Sequence, residues 1–360
     1  MRKKEYIVPI FIPFLGCPHD CAFCNQVKIT NYKDRISKEN TIKQIETYLS
    51  YFPENDNDIE IAFFGGSFTG LDPEVMTSYL EIAKSYKKKG IIDRIRLSTR
   101  PDYINNSILD TLKAYQVDII ELGIQSMDDE VLTFNERGHS KDDSIRASRL
   151  IKDYGFKLGH QIMPGLYKDT YEKSIKTAIA SANLGPDMVR IYPTLVIKDT
   201  KLEFLYDKGL YHPLTVDEAA KVASEIYMIY AYKNINIIRV GLQPTENINE
   251  GKDVVGGPFH PALRQVVESN IHRIYLEEIL EKEKLKDSIK IHSTGRDISI
   301  IAGNKQANKT YFYEKYGLKM SFVQDGKNYI ETGDKEINYD LDSFIKTHVE
   351  KTYGGDLLLN

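Results

Sequence analysis

The chain has 360 residues, 41% of them hydrophobic, with 24 Tyr and 14 Phe, and 48 basic residues against 52 acidic ones give a formal net charge of -4. That apolar share supplies a sizeable core and excludes an intrinsically disordered chain. The slightly acidic balance excludes a protein that holds nucleic acid by overall charge alone, although basic residues can still be segregated locally.

The N-terminal stretch MRKKEYIVPIFIPFLGC pairs a basic start with an apolar run, as a secretory signal does. Two prolines interrupt the run and no A-x-A site follows it, so residues 6–14 read as a first strand. Residues 59–64 (IEIAFF) are a short apolar run that ends at Gly65-Gly66, and residues 73–88 are helical in pattern. Strand-like residues 92–98 precede a helical stretch at 107–114, and strand-like residues 117–122 precede another at 142–154. Residues 156–162, 188–191 and 235–240 read as further strands, with a long helix over 215–233. Alternation of this kind predicts repeated βα units and a mostly parallel sheet.

Polar and glycine residues cluster just after the strands: Gly65, Gly66 and Ser67, then Ser98, Glu121 with Gln125, Gln161, and Arg190. A (β/α) barrel presents a site in this way, above the C-terminal ends of its strands. The expected fold class is therefore α/β, a partial (β/α) TIM-type barrel with a small C-terminal α/β domain. GGSFTG lacks the dinucleotide-binding spacing and the chain has no phosphate-binding G-x-x-x-x-G-K-[ST], which weakens a Rossmann reading.

The glycine- and proline-rich residues 241–261 read as a loop or boundary between a barrel domain, 1–240, and an accessory or substrate domain, 262–360. The latter reads as helix at 262–282, short β runs at 289–292 and 297–301, helix at 307–316, strands at 319–323 and 329–331, and a closing helix over 341–350. His260 and Arg264, in a loop expected to fold over the barrel mouth, are candidate substrate contacts. So are the basic and aromatic residues Lys286, Lys290, Arg296, Lys305, Lys309, Tyr311, Phe312 and Tyr313, although acidic residues are interspersed among them.

All three cysteines fall within eight residues, as Cys17, Cys21 and Cys24 in GCPHDCAFCNQ. Three close thiols suit a reducing compartment, and no run reaches the ~18 apolar residues of a membrane span, so the expected location is the cytoplasm with no membrane partner. Thiolates are soft ligands for zinc or iron–sulfur. His19 lies within the loop and keeps a four-ligand zinc site open as the alternative. A [4Fe–4S] cluster on three cysteines would leave one iron free for a small molecule, and no fourth cysteine is present to close that position.

The order Cys17, Cys21, Phe23, Cys24 resembles the hallmark of the radical S-adenosylmethionine (SAM) superfamily, C-x3-C-x2-C with an aromatic before the last cysteine. The resemblance implies a [4Fe–4S] cluster on Cys17, Cys21 and Cys24 as both metal site and catalytic centre, SAM as cofactor, and a reducing electron donor as partner. It implies that Gly65, Gly66 and Ser67 meet the SAM amino group, that Glu121 contacts its ribose, and that Phe23 packs near its adenine. Ser98, Gln125, Ser126, Gln161 and Arg190 are expected around the same pocket, and His139 as either a site or a turn residue.

The stretches FFGGSFTGLD, ELGIQSMDDEVL, NERGHS, GHQIMPGLYKDT and GLYHPLT are most similar to the branch containing the catalytic subunit of Elongator, a tRNA uridine modifier. That implies tRNA as partner and substrate. No acetyltransferase module is expected within these 360 residues, and the basic N-terminal tRNA-binding extension of the family is reduced to Arg2-Lys3-Lys4. The same radical chemistry on a small, porphyrin-like metabolite, and a zinc-stabilised binding module without catalysis, are the competing readings. Oligomeric state leaves no mark on the sequence.

Overall fold

A computed structural model describes residues 4–12, 17, 20–25, 37–53, 57–243, 249, 251–333 and 335–357. His19, Arg2 and Lys3 lie outside the described residues. One sheet contains seven strands, all parallel: β1 (Lys4–Ile12), β2 (Asn57–Gly65), β3 (Arg94–Thr99), β4 (Ile119–Gln125), β5 (Lys157–Ile162), β6 (Met188–Ile191) and β8 (Asn236–Val240). They neighbour one another in chain order, so each crossover advances one place, as an open half of a TIM-type barrel requires. The expected fold class is correct.

Alternation along the strands sorts the two faces. Val8, Ile10, Ile12, Ile61, Phe63, Ile95, Leu97, Ile120, Leu122 and Val189 are almost fully buried in the apolar core with the helices. The residues between them turn Glu60, Arg96, Glu121 and Arg190 to the other face, inside the curve of the sheet.

The helices begin at α1 (Lys38–Tyr51), α2 (Pro73–Lys88), α3 (Asn106–Ala114), α4 (Asp129–Phe134), α5 (Lys141–Asp153), α6 (Tyr171–Asn183), α7 (Lys201–Asp207) and α8 (Val216–Tyr232). Each starts at a Ser, Asp, Asn or Thr whose side chain accepts a first-turn N–H: Ser37, Asp72, Asn105, Asp128, Ser140, Thr170, Thr200 and Thr215. Sequence reading missed α1, α4, α6 and α7, although Ser37, Asp128, Thr170 and Thr200 were visible cap signals.

Within residues 241–261, the strand β9 (Val254–Gly256) pairs antiparallel with β7 (Val196–Ile197), on the segment leaving β6. Leu195, Ile197 and Val254 bury together there, with Leu242 and Phe259 against them.

Beyond it, α9 (Leu263–Glu283) lies on α8, where Ser224 Oγ donates to Val267 O at 3.1 Å and accepts from Asn270 Nδ2 at 3.0 Å. The C-terminal sheet has the order β11 (Lys319–Gln324), β10 (Ser288–Ser293), β12 (Tyr329–Thr332), β13 (Lys335–Asn338). The helices α10 (Gly295–Ala302), α11 (Ala307–Tyr316) and α12 (Leu341–Leu357) flank it. Residues 297–301, expected as a β run, are helical. Thr294 caps that turn by accepting from Asp297 N at 3.2 Å, and the cap outweighs the alternation of Ile298 and Ile300. From α12, His348 Nε2 and Tyr353 OH both reach Glu225 Oε2 on α8 at 3.0 Å. One buried apolar cluster runs from the barrel strands through α8 and α9 into this second sheet. Among the described residues no helix is long and apolar enough to cross a membrane.

Candidate active site

Cys17 lies against the turn that follows β2, at the C-terminal end of the sheet. Gly66 N donates to Ile12 O at 2.7 Å, and Ser67 N donates to Cys17 Sγ at 3.2 Å. Gly65 adopts φ +105°, and a Cβ there would stand 2.9 Å from Ile12 O. Both the backbone conformation and the close approach call for glycine. Gly65→Ala should cost on the order of 1–3 kcal/mol of backbone strain, read as a lower melting temperature. An unchanged melt would show that the turn relaxes freely.

The same turn is held from β3. Ser67 Oγ and Thr99 Oγ1 lie 2.8 Å apart, and Thr69 Oγ1 is 2.5 Å from Thr99 Oγ1. Arg100 N donates to Ser67 Oγ at 3.4 Å. The Arg100 guanidinium is fixed by Asp102 through two bonds of 3.0 Å and donates from Nη2 to Arg137 O. Arg137 donates from Nη1 to Cys21 Sγ at 3.1 Å and from Nη2 to Gly123 O at 2.6 Å. A continuous chain thus runs from Cys17 through Ser67, Arg100 and Arg137 to Cys21.

Backbone bonds pin the loop as well. Ala22 N donates to Asn135 O at 3.1 Å, and Leu202 N donates to Ala22 O at 2.7 Å. Cys21 and Phe23 are buried with Val131, Leu166, Val196 and Leu202, and the Arg137 guanidinium lies 6.0 Å from the Phe23 ring centre. Asn135, Arg137 and Arg100 were not singled out from the sequence, although Asn135 and Arg137 stand in NERGHS. The motif braces the cysteine loop.

Burial pushes the Cys17 thiol above its ordinary range, and nearby Cys21 adds to this. The Ser67 N–H, Arg100 and Arg137 pull the other way. Arg137 Nε and Arg100 Nη1 are buried with no hydrogen-bond partner. Two guanidinium groups with spare donors, beside two thiols, fit an anionic group bound to those sulfurs. Among the described residues no three His, Cys, Asp or Glu side chains converge to hold one metal ion. A cluster that takes each sulfur to a different iron does not require that convergence.

Deeper in the curve of the sheet, Glu121 receives Arg190 Nε at 2.7 Å, Arg190 Nη2 at 3.1 Å and Arg96 Nη1 at 2.5 Å. Arg96 also reaches Glu60, with Nη2 donating to Oε2 at 3.0 Å and Nε lying 2.6 Å from Oε1. That last pair is close in charge but out of line for a hydrogen bond. Gly159 on β5 makes the ladder possible, since a Cβ there would come within 2.7 Å of Glu121 Cγ. Burial pushes Glu121 up, but Arg190 and Arg96 more than offset it and hold its carboxyl below the usual range. Burial dominates at Glu60, whose carboxyl is raised despite Arg96 and Arg94.

The remaining candidates fall into groups. Ser98 pairs in register with Glu121 and is half-buried. Gln125 sits at φ +62° in a bulge of β4, where its Oε1 accepts from Gln161 Nε2 at 3.5 Å. Ser126 accepts from Asp128 N at 3.2 Å, a local turn contact. His139 is buried, with Nε2 3.3 Å from Ile124 O, and burial lowers its pKa to about 3, so it is neutral. His260 and Arg264 are engaged in local packing, the first with Ala262 N and Asn304, the second with Glu268 and Ile237 O. Phe312 is fully buried, Tyr311 is tied to Glu277 and Lys290 to Glu331, so this stretch does not form a continuous exposed aromatic platform.

A radical SAM superfamily profile matches residues 11–178, and a radical SAM C-terminal domain profile matches residues 186–273. A tRNA uridine(34) acetyltransferase of Methanocaldococcus jannaschii is 32% identical over 188 residues, which are 47% of this chain and 35% of that protein. The chain therefore spans about a third of that relative's length. An uncharacterized protein of the same organism is 32% identical over 231 residues, 60% of this chain and 69% of the relative. The solved structure of Methanocaldococcus infernus Elp3 with an N-terminal deletion superposes with a TM-score of 0.57 at 24% identity, covering 79% of this chain and 65% of that one. That likeness speaks for the fold.

Proposed function

The chain belongs to the radical SAM superfamily, and from that premise we propose that it is an iron–sulfur enzyme that cleaves SAM reductively in order to modify a uridine of tRNA. The observation that carries the reading is the cysteine loop after β1, with Cys17 tied to the glycine turn after β2. Cys17, Cys21 and Cys24 hold a [4Fe–4S] cluster. When bound, that cluster supplies the electron that splits SAM and yields a 5'-deoxyadenosyl radical.

This chain's residues bind and aim. Gly65, Gly66 and Ser67 offer backbone to the SAM amino group, and Phe23 packs beside the adenine. Ser98, Gln125 and Gln161 line the pocket. Glu121 faces the ribose; its carboxylate has about four acceptor positions, so Arg96 and Arg190 leave room for a hydroxyl hydrogen. Residues 1–240 form the radical domain, with 262–360 as an accessory or substrate domain. An external reductant supplies the electron.

tRNA uridine as the target rests on relatives such as the tRNA uridine(34) acetyltransferase of Methanocaldococcus jannaschii. Anaerobic reconstitution should load about four irons per chain and give 5'-deoxyadenosine from SAM under reducing conditions. Properly folded protein that does neither would defeat the reading. Nucleoside mass spectrometry of tRNA from cells with and without the gene then identifies the modified base. The net charge of -4 favours a second reading, a small-molecule substrate. Unchanged tRNA nucleosides would support it, and tight, salt-dependent tRNA binding would count against it.

A further inference from the structure

We propose that Arg137 is a positioning residue that sets the reduction potential of the cluster, acting through its contact with Cys21. This rests on the [4Fe–4S] reading of the cysteine loop above. Three observations point to it. Arg137 Nη1 donates to Cys21 Sγ at 3.1 Å, where both side chains are buried. The same guanidinium is fixed by Gly123 O, which accepts from Nη2 at 2.6 Å, and the backbone end is held by Arg100, which donates to the Arg137 carbonyl. Its Nε and Arg100 Nη1 remain without partners in the same buried region.

The physical consequence follows from charge. One-electron reduction by an external reductant adds one negative charge to the bound cluster, and no bond forms or breaks. A fixed positive charge and an N–H···S bond at a ligand sulfur stabilise the more negative state and raise the potential. Exposure to water would screen this, but Cys21 is 8% and Arg137 6% exposed.

Arginine suits the task better than lysine because its planar fork spans two acceptors at once, the sulfur of the loop and the carbonyl of β4. The direct hydrogen bond from Arg137 goes to Cys21. Cys17 receives a neutral backbone N–H from Ser67, whereas Cys21 receives a cation. Cys17 and Cys21 are therefore held by donors of different charge.

The test compares native protein with Arg137→Met and Arg137→Lys, each reconstituted anaerobically with ferrous iron and sulfide. Iron and sulfide content are measured first, then the midpoint potential by mediated titration with electron paramagnetic resonance of the reduced cluster. Arg137→Met should keep its iron and show a roughly tenfold smaller reduced fraction at a fixed potential, a downward shift of about 59 mV for one electron. Arg137→Lys, which keeps the charge, should recover at least half of that shift. Unchanged potentials in both loaded variants would overturn the proposal. Loss of iron from both would overturn it too, showing the guanidinium to be a loop brace alone. Native protein that takes up no cluster would instead defeat the iron–sulfur reading itself.

Discussion

Replacing Cys21 with alanine is expected to abolish cluster loading and SAM cleavage while leaving the fold intact. Altering a partner of a metal ligand typically lowers metal affinity by about 10–100-fold, and removing one of three ligands should exceed the upper end of that range. The loop does not need the sulfur to keep its path. Ala22 is bonded to Asn135 and Leu202, and Phe23 buries beside Val131 and Leu202. Circular dichroism and the melting temperature should therefore stay near native as iron content falls to background. Cys17→Ala and Cys24→Ala should behave alike. Full iron loading in any one of the three variants would remove that residue from the ligand set.

The ordering of the barrel was legible because each strand carried a short apolar run and a turn signal, as in IEIAFF followed by Gly65-Gly66. The helix α6 was not, because residues 171–183 (YEKSIKTAIASAN) are rich in small and polar side chains that fill its buried face. Ser174, Thr177 and Ser181 are all inside. A hydropathy pattern does not register such a face. Residues 297–301 misled for the opposite reason, since two isoleucines at a spacing of two imitate a strand while Thr294 caps a helix.

Within the site, the cysteines and the glycine turn were readable from spacing. Arg100 and Arg137 were not, because their meaning depends on contacts across 37 and 116 residues of chain. Glu121 was found by position in ELGIQS, but its two arginine partners lie on strands 25 and 69 residues away. Spacing within a motif carries local geometry. It carries nothing about which distant strand the curve of the sheet will bring alongside.

Those partners change what Glu121→Gln should do. The carboxylate is buried between Arg96 and Arg190, whose side chains are 9% and 15% exposed. Arg96 keeps Glu60 when the charge is removed, but Arg190 is left with Tyr192 OH at 3.4 Å and the Phe64 ring at 5.4 Å. Breaking a buried pair from one side costs about 3–5 kcal/mol, so chemical denaturation at neutral pH should show a loss of that size. The pH dependence has a definite sign. The folded-state carboxyl of Glu121 lies below its ordinary value of 4.5, so its contribution is complete above about that pH and fades as pH falls through the folded value. The gap between native and Glu121→Gln should therefore narrow in acid. Glu60, whose folded carboxyl is raised, gives the opposite trend: its contribution is complete below 4.5 and is lost as pH rises, so the native advantage over Glu60→Gln should widen in acid. If Glu121 also meets the ribose, Glu121→Gln should weaken SAM binding in a titration and leave iron content unchanged. Loss of iron with SAM affinity intact would assign the residue to holding the sheet and remove it from the cofactor pocket.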